Sequence, residues 1–217
     1  MSVQVKICGL NDTAAVVAAS EGGARYGGFV FYPKSPRVVD AETAAYLVAL
    51  LSPLVTPVGL FVNPTNEDID SVLDFVPLQA IQLHGSETPE RVAELKQKVG
   101  LTIIKAIGIA TAQDIFDVQK YESVADILLL DSKPAPDAAL PGGNAQTFDW
   151  DILKNVRLTK PWMLAGGLTP DNLADAVRRS CARLLDVSSG VEDAPGHKNP
   201  AKIRAFLEGA ARIETSY

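Results

Sequence analysis

The sequence predicts a (β/α)8 barrel of the α/β class, and three observations predict it. Eight short apolar runs alternate with eight stretches of helical period, turn chemistry marks the changeovers, and polar residues gather at the carboxyl ends of the runs. Such alternation implies parallel strands joined by crossover helices. Eight units without an internal linker fit a closed barrel better than an open, doubly wound sheet. Residues 1–217 are therefore expected to form a single barrel domain.

The expected strands are "VQVKIC" (3–8), "GGFVFY" (27–32), "PVGLFV" (57–62), "AIQLH" (80–84), "TIIKAI" (102–107), "DILLLD" (126–131), "WMLAG" (162–166) and "RLLDVS" (183–188). Between and after them come helix-like stretches at 12–22, 40–51, 66–76, 88–99, 111–121, 148–156, 169–180 and 199–213. Several of these open on Asp, Asn or Thr, which suit the helix N-cap, and "TPE" and "TPD" place Pro at the first helical position. The Pro-, Gly- and Ala-rich segment 132–147 after the sixth strand suits a lid.

Composition narrows the function classes. With 47% apolar residues the chain can build a substantial core without staples. Its two cysteines, Cys8 and Cys181, have no partner at metal-like or CxxC spacing, which points to a reducing, cytoplasmic setting and away from a disulfide framework or zinc site. The start shows no basic leader, and no apolar run approaches the roughly 18 residues of a membrane span. A net charge of -6 without a basic cluster argues against nucleic-acid binding, so an anionic ligand has to be held locally.

In a parallel strand buried on both faces, polar side chains at the carboxyl end are the informative ones, because barrel sites are built there. Cys8 ends the first run, His84 the fourth, Asp131 the sixth, and Asp186 and Ser188 the eighth. Alternation puts Lys6 and Cys8 on the interior side of the first strand, with Val3, Val5 and Ile7 toward the helices. A neighbouring ammonium favours the Cys8 thiolate, while the plainer reading is a small core residue. For Cys181, at a helix end without polar company, the plainer reading is preferred. Asp131 suits either a general acid or a turn cap, and His84 either a structural hydrogen bond or a ligand contact. Arg37, in the Pro-punctuated loop "FYPKSPRVV", is either a solvated charge or a fork for a planar carboxylate. The seventh and eighth loops, "AGGLTPDN" and "VSSGVEDAPG", combine small residues with a following helix start, which suits a phosphate.

Taken together, "KICGL", "GFVFYPKSPRVV", "GLFVN", "IQLHGSE", "LLLDS", "GGNAQTFDW", "LAGGLTPDN" and "DVSSGVED" resemble the phosphoribosylanthranilate isomerases of tryptophan biosynthesis, nearly end to end. The resemblance implies a single-domain TIM barrel with no metal or organic cofactor, acting by Amadori rearrangement on the small molecule N-(5-phosphoribosyl)anthranilate. It implies that Asp131 is the general acid and Cys8 the general base. It also implies that Arg37 holds the anthranilate carboxylate, that His84 and Asp186 face the sugar, and that Gly166, Gly167, Ser188, Ser189 and Gly190 hold the phosphate. Two positions depart from the family's pattern: Ala145 stands where a glycine is commoner, and Asn11 where a threonine is. They bear on lid movement and rate rather than on the reaction.

Two rivals remain. The histidine-pathway isomerase performs the same rearrangement with two aspartates and two phosphate sites, and a cysteine at position 8 speaks against it. A barrel that binds a phosphorylated ligand without catalysis is the other, because a fold does not fix a function. No surface position marks a dimer interface, and a monomer is the default expectation.

Overall fold

The structure is a computed structural model that describes residues 3–134, 142–143, 147–154 and 156–213. Eight parallel strands pair in chain order: β1 (Gln4–Cys8), β2 (Tyr26–Val30), β3 (Thr56–Phe61), β4 (Ala80–Leu83), β5 (Thr102–Ile109), β6 (Ile127–Ser132), β7 (Trp162–Leu164) and β8 (Leu184–Val187). The last pairs with the first, Lys6 opposite Asp186, and the sheet closes into a barrel. Each of the eight expected strands is present, shifted by a residue or two at the ends.

Crossovers run through α1 (Thr13–Glu21), α2 (Ala41–Ala49), α3 (Asn66–Leu73), α4 (Pro89–Val99), α5 (Ile115–Gln119) and α6 (Leu173–Ser180), and α7 (Pro200–Ala211) follows the eighth strand. Side-chain oxygens of Asp12, Asp40, Thr65, Thr88 and Asn199 accept amide hydrogens in the first turns of their helices. These caps satisfy donors that have no partner within a helix. Pro89 sits at a helix start as expected, and Pro200 opens α7 in the same way.

Three expectations are corrected. Among the described residues of 148–156 there is a 3₁₀ turn, Trp150–Leu153, where an α-helix was expected. Pro170 does not open α6: a Thr169–Asn172 turn, closed by Asn172 Oδ1 accepting the Thr169 amide at 2.8 Å, delays that helix to Leu173. A short antiparallel hairpin, β9 (Glu192–Ala194) with β10 (His197–Lys198), also follows β8 where the sequence suggested only a loop. The lid expected over 132–147 falls largely outside the described residues, as do Asn144 and Ala145.

The core has two apolar layers, and strand alternation assigns them. Val3, Val5, Ile7, Ile81 and Leu83 pack outward against the helices, while Ala80, Val58, Ile104, Leu129 and Met163 fill the barrel. Above the inner layer, Cys8, Val30 and Leu60 form a small cluster at the mouth. Lys6 interrupts the apolar interior: it is fully buried, and its Nζ donates to Asp186 Oδ1 at 2.8 Å. This ion pair joins residues 180 apart in sequence across the seam that closes the barrel.

Removing one partner of a buried pair strands the other charge in a low dielectric, and the usual loss is about 3–5 kcal/mol. Lys6→Met, which keeps the length and drops the charge, is expected to lower the unfolding free energy by about that amount in urea titrations. A loss indistinguishable from zero would contradict the structural role assigned to the pair.

Candidate active site

At the carboxyl ends of the strands lies a cleft, lined among others by Cys8, Arg37, His84, Asp131, Asp186 and Ser188. Gly142, Gly143, Gly166, Gly167 and Ser189 also line it. Residues expected at the site from six separate stretches of sequence thus meet in one place. Val30, Tyr32, Leu60 and Val62 form an apolar wall that the sequence reading missed, since such residues at strand ends look like ordinary core.

Cys8 is 4% exposed and lies in the same corner as the Lys6 ammonium: a side chain at Gly28 would place its Cβ 3.1 Å from both Cys8 Sγ and Lys6 Nζ. Burial disfavours the charged amine of Lys6, yet Asp186 and the neighbouring Cys8 outweigh it and raise its pKa. Lys6 therefore carries a fixed positive charge. For Cys8 the balance runs the other way: burial pushes the thiol up more than Lys6 pulls it down, and Asp186 adds to the rise. The nearby ammonium that the sequence promised is present, but it moderates the penalty of burial without overcoming it.

Asp131 ends the apolar run of β6 and is 6% exposed. The Ser132 amide donates to its Oδ1 at 2.8 Å, and His84 Nε2 lies 3.3 Å from its Oδ2. A Cβ on Gly142 would come within 2.6 Å of His84 Nε2 and 2.9 Å of Asp131 Oδ2, so only bare main chain can cover this pair. His84 itself stands one residue past β4, next to Gln82.

Arg37 differs most from expectation. Its fork is already engaged: Nε donates to Glu192 Oε1 at 2.7 Å and Nη2 to Glu192 Oε2 at 2.8 Å. The Lys198 ammonium donates to Glu192 Oε1, the oxygen that also accepts from Arg37 Nε, and to the Ser188 carbonyl and hydroxyl at 3.3 Å. Two cations share one anion, which leaves a net positive charge beside the cleft and presents the Nη1 end of Arg37 to an incoming group. A Cβ on Gly143 would stand 2.7 Å from that Nη1. Burial alone would raise the carboxyl of Glu192, but Arg37 and Lys198 together hold it below its usual range. Burial and Arg37 lower the pKa of Lys198, more than Glu192 raises it. Neither Glu192 nor Lys198 was singled out from sequence. An acidic residue and a lysine in a polar loop carry no signal until the hairpin folds them under Arg37.

The two small-residue loops meet beside this cluster, to which Lys198 ties Ser188. Gly166 and Gly167 adopt φ of 90° and 60°, a left-handed stretch open to glycine at little cost. Among the described residues, the amides of Gly167 and Ser189 donate to no acceptor within the chain. Ser189 also opens a 3₁₀ turn, Ser189–Val191, whose first amides are left unpaired by geometry. Gly190 lies behind them: a Cβ there would collide with the Leu168 carbonyl oxygen, so its smallness lets the two loops interlock. The helix start expected at the seventh loop begins only at Leu173, beyond an intervening turn.

Cys181 is exposed rather than buried, and ends α6 in the left-handed region with φ 61°. Both cysteines are free thiols. Among the described residues no three His, Cys, Asp or Glu side chains converge as a metal-binding group, and no helix is long and apolar enough to cross a membrane.

Fold and site together define a (β/α)8-barrel protein of the enzyme type, with thiol, carboxyl, imidazole and guanidinium groups gathered at its mouth. The family model described as N-(5'phosphoribosyl)anthranilate (PRA) isomerase matches residues 5–209. A relative named N-(5'-phosphoribosyl)anthranilate isomerase from Paracoccus denitrificans is 55% identical over 210 residues, covering 97% of this chain and 98% of the relative. The crystal structure of phosphoribosyl anthranilate isomerase from Thermotoga maritima superposes with a TM-score of 0.84 at 35% identity, covering 97% of this chain and 100% of that one. A structure of such an isomerase in complex with reduced 1-(o-carboxyphenylamino)-1-deoxyribulose 5-phosphate gives 0.82 at 34% identity, with the same coverage. The chain belongs to the phosphoribosylanthranilate isomerase family.

Because Glu192 is held ionised in the folded chain, its contribution to stability is present above the ordinary glutamate pKa and is lost as pH falls through the depressed folded value. Glu192→Gln is expected to cost about 1–3 kcal/mol near neutral pH. The gap between wild type and variant should close in urea titrations carried to progressively more acid pH. A gap that widened on acidification would refute the ion-pair account.

Proposed function

We propose that this chain catalyses the Amadori rearrangement of N-(5-phosphoribosyl)anthranilate to its carboxyphenylamino-deoxyribulose phosphate, a step of tryptophan biosynthesis. Membership of the family supports the reading. The observation that carries it is that Cys8, Asp131 and Arg37, far apart in sequence, line one cleft.

The assignment divides the work between two groups of opposite protonation state. Asp131, protonated, gives its proton to the ribose ring oxygen as the C1–O bond breaks, leaving a Schiff base with the anthranilate nitrogen. Cys8, as thiolate, then removes the proton from C2, and the electron pair moves to form an enolamine that tautomerises to the ketone. The fixed Lys6 ammonium stabilises that thiolate. The net positive Arg37–Glu192–Lys198 cluster and the apolar wall suit the carboxylate and ring of anthranilate, with Nη1 of Arg37 as the donor that remains unengaged by Glu192. Gly166, Gly167, Ser188 and Ser189 suit the phosphate, and His84 and Asp186 the polar region between. Gly190 contributes by keeping the two loops in contact.

The reading takes a single chain as the catalytic unit, although a Thermotoga maritima relative is described as dimeric. Free thiols on both cysteines support a reducing, cytoplasmic setting.

The test follows the fluorescence of freshly generated phosphoribosylanthranilate, with its spontaneous breakdown subtracted. Wild type is expected to consume it rapidly, and Cys8→Ala to lose about 10²–10⁴-fold in kcat with little change in KM. Since burial raises the Cys8 pKa, the thiolate that acts as base is the minor form near neutral pH. Near-full turnover in Cys8→Ala would show that another group is the base.

A further inference from the structure

Gln82 on β4 is fully buried in the barrel interior, on the same side as Ala80, and no role has been given to it. Its Nε2 lies 2.9 Å from His84 Nδ1. With the carboxamide nitrogen on this side, which has hydrogens to give and no lone pair to offer, Nδ1 accepts and the imidazole proton falls to Nε2. That nitrogen is the one facing Asp131 Oδ2 at 3.3 Å. The other end of the carboxamide is unrewarded, since Gln82 Oε1 is buried with no hydrogen-bond partner among the described residues. Burying an unsatisfied acceptor is costly, and a methionine of similar volume would fill the space without that cost. Its strand neighbours, Leu60 on β3 and Ile104 on β5, offer it nothing polar.

We infer that Gln82 is a positioning residue for the acid step: it fixes His84 as the Nε2–H tautomer, so that the imidazole donates to the Asp131 carboxyl. The inference deepens the isomerase reading and rests on Asp131 as the acid. As Asp131 releases its proton to the ring oxygen, negative charge grows on its carboxyl. The Ser132 amide already donates to Oδ1, and His84 Nε2 lies 3.3 Å from Oδ2, near enough to donate as that charge grows. Donors aimed in advance at developing charge lower the barrier without reorganising. In the other tautomer the Nε2 lone pair would face the carboxylate and oppose the same step. Gly142, bare of a side chain, closes the pair from above.

The test reads the tautomer directly, by long-range ¹⁵N–¹H correlation of the full-length labelled chain near neutral pH. The chain has only two histidines, so the exposed His197, changed to Gln, identifies the other spin system by elimination. Wild-type His84 is expected to show a protonated Nε2 and an unprotonated Nδ1. Gln82→Met should release it into a mixture of tautomers and lower kcat by about tenfold or more with KM nearly unchanged. Gln82→Glu, whose carboxylate accepts where the amide donated, should protonate Nδ1 as well, giving an imidazolium between two carboxylates. Retention of the Nε2–H tautomer and of full kcat in Gln82→Met would overturn the inference, as would an Nδ1–H tautomer in wild type. A wild type with the expected tautomer but no turnover would overturn the isomerase reading instead.

Discussion

The ion pair between Lys6 and Asp186 is the constraint on which the rest of the mouth depends. It sits where β1 meets β8, at the seam that turns an eight-stranded sheet into a barrel, and Lys6 is fully buried there. A charge so placed is tolerable only with a partner at contact distance, so the pair fixes the register of first strand against last. That register sets Cys8 one alternation above Lys6 at the lip of the barrel. In the proposed mechanism the same ammonium serves chemistry: with a weaker contribution from Lys198, it favours a thiolate in a corner where burial otherwise favours the neutral thiol. Structure and reactivity draw here on a single group.

A second pairing follows the same logic at the edge of the cleft. Arg37 brings a guanidinium to the mouth and Lys198 an ammonium, and a single carboxylate, Glu192, holds both. One anion between two cations keeps the loop after β2 joined to the hairpin after β8 while leaving a net positive charge. A neutral arrangement would hold the loops equally well but would offer nothing to a carboxylate. The cost lies in directionality, because the fork that would recognise a planar carboxylate most specifically is already engaged.

What the sequence made legible follows from period and position. Alternating apolar runs and helical stretches marked all eight strands, because each is short, largely apolar and bounded by turn residues. Polar residues at strand ends stood out because that is where a buried parallel strand has no other use for them, and Cys8, His84, Asp131 and Asp186 were found that way. Interactions between distant loops were not legible. Glu192 and Lys198 look like solvated hairpin residues until their partners arrive, and Tyr32 and Val62 look like core. Gln82 was hidden inside a strand motif whose polar member reads as an interruption. The stretch 148–156 misled because its apolar spacing is helical, yet one 3₁₀ turn packed through Trp150 and Leu153 is enough to bury it. The solvation of Cys8 was also out of reach, since a thiol's pKa depends on how many neighbours exclude water, and sequence shows only which neighbours are charged.

The proposed mechanism stands on a division of labour in which Asp131 supplies the proton that opens the sugar ring, from a carboxyl held by the Ser132 amide with His84 beside it. Asp131→Asn keeps the shape and removes the acid. Single-turnover consumption of fluorescent phosphoribosylanthranilate by this variant, at saturating protein and with spontaneous breakdown subtracted, tests that claim most directly. The account predicts that binding persists while turnover nearly vanishes. Turnover close to wild type would show that the proton comes from elsewhere and that the division of labour is wrong.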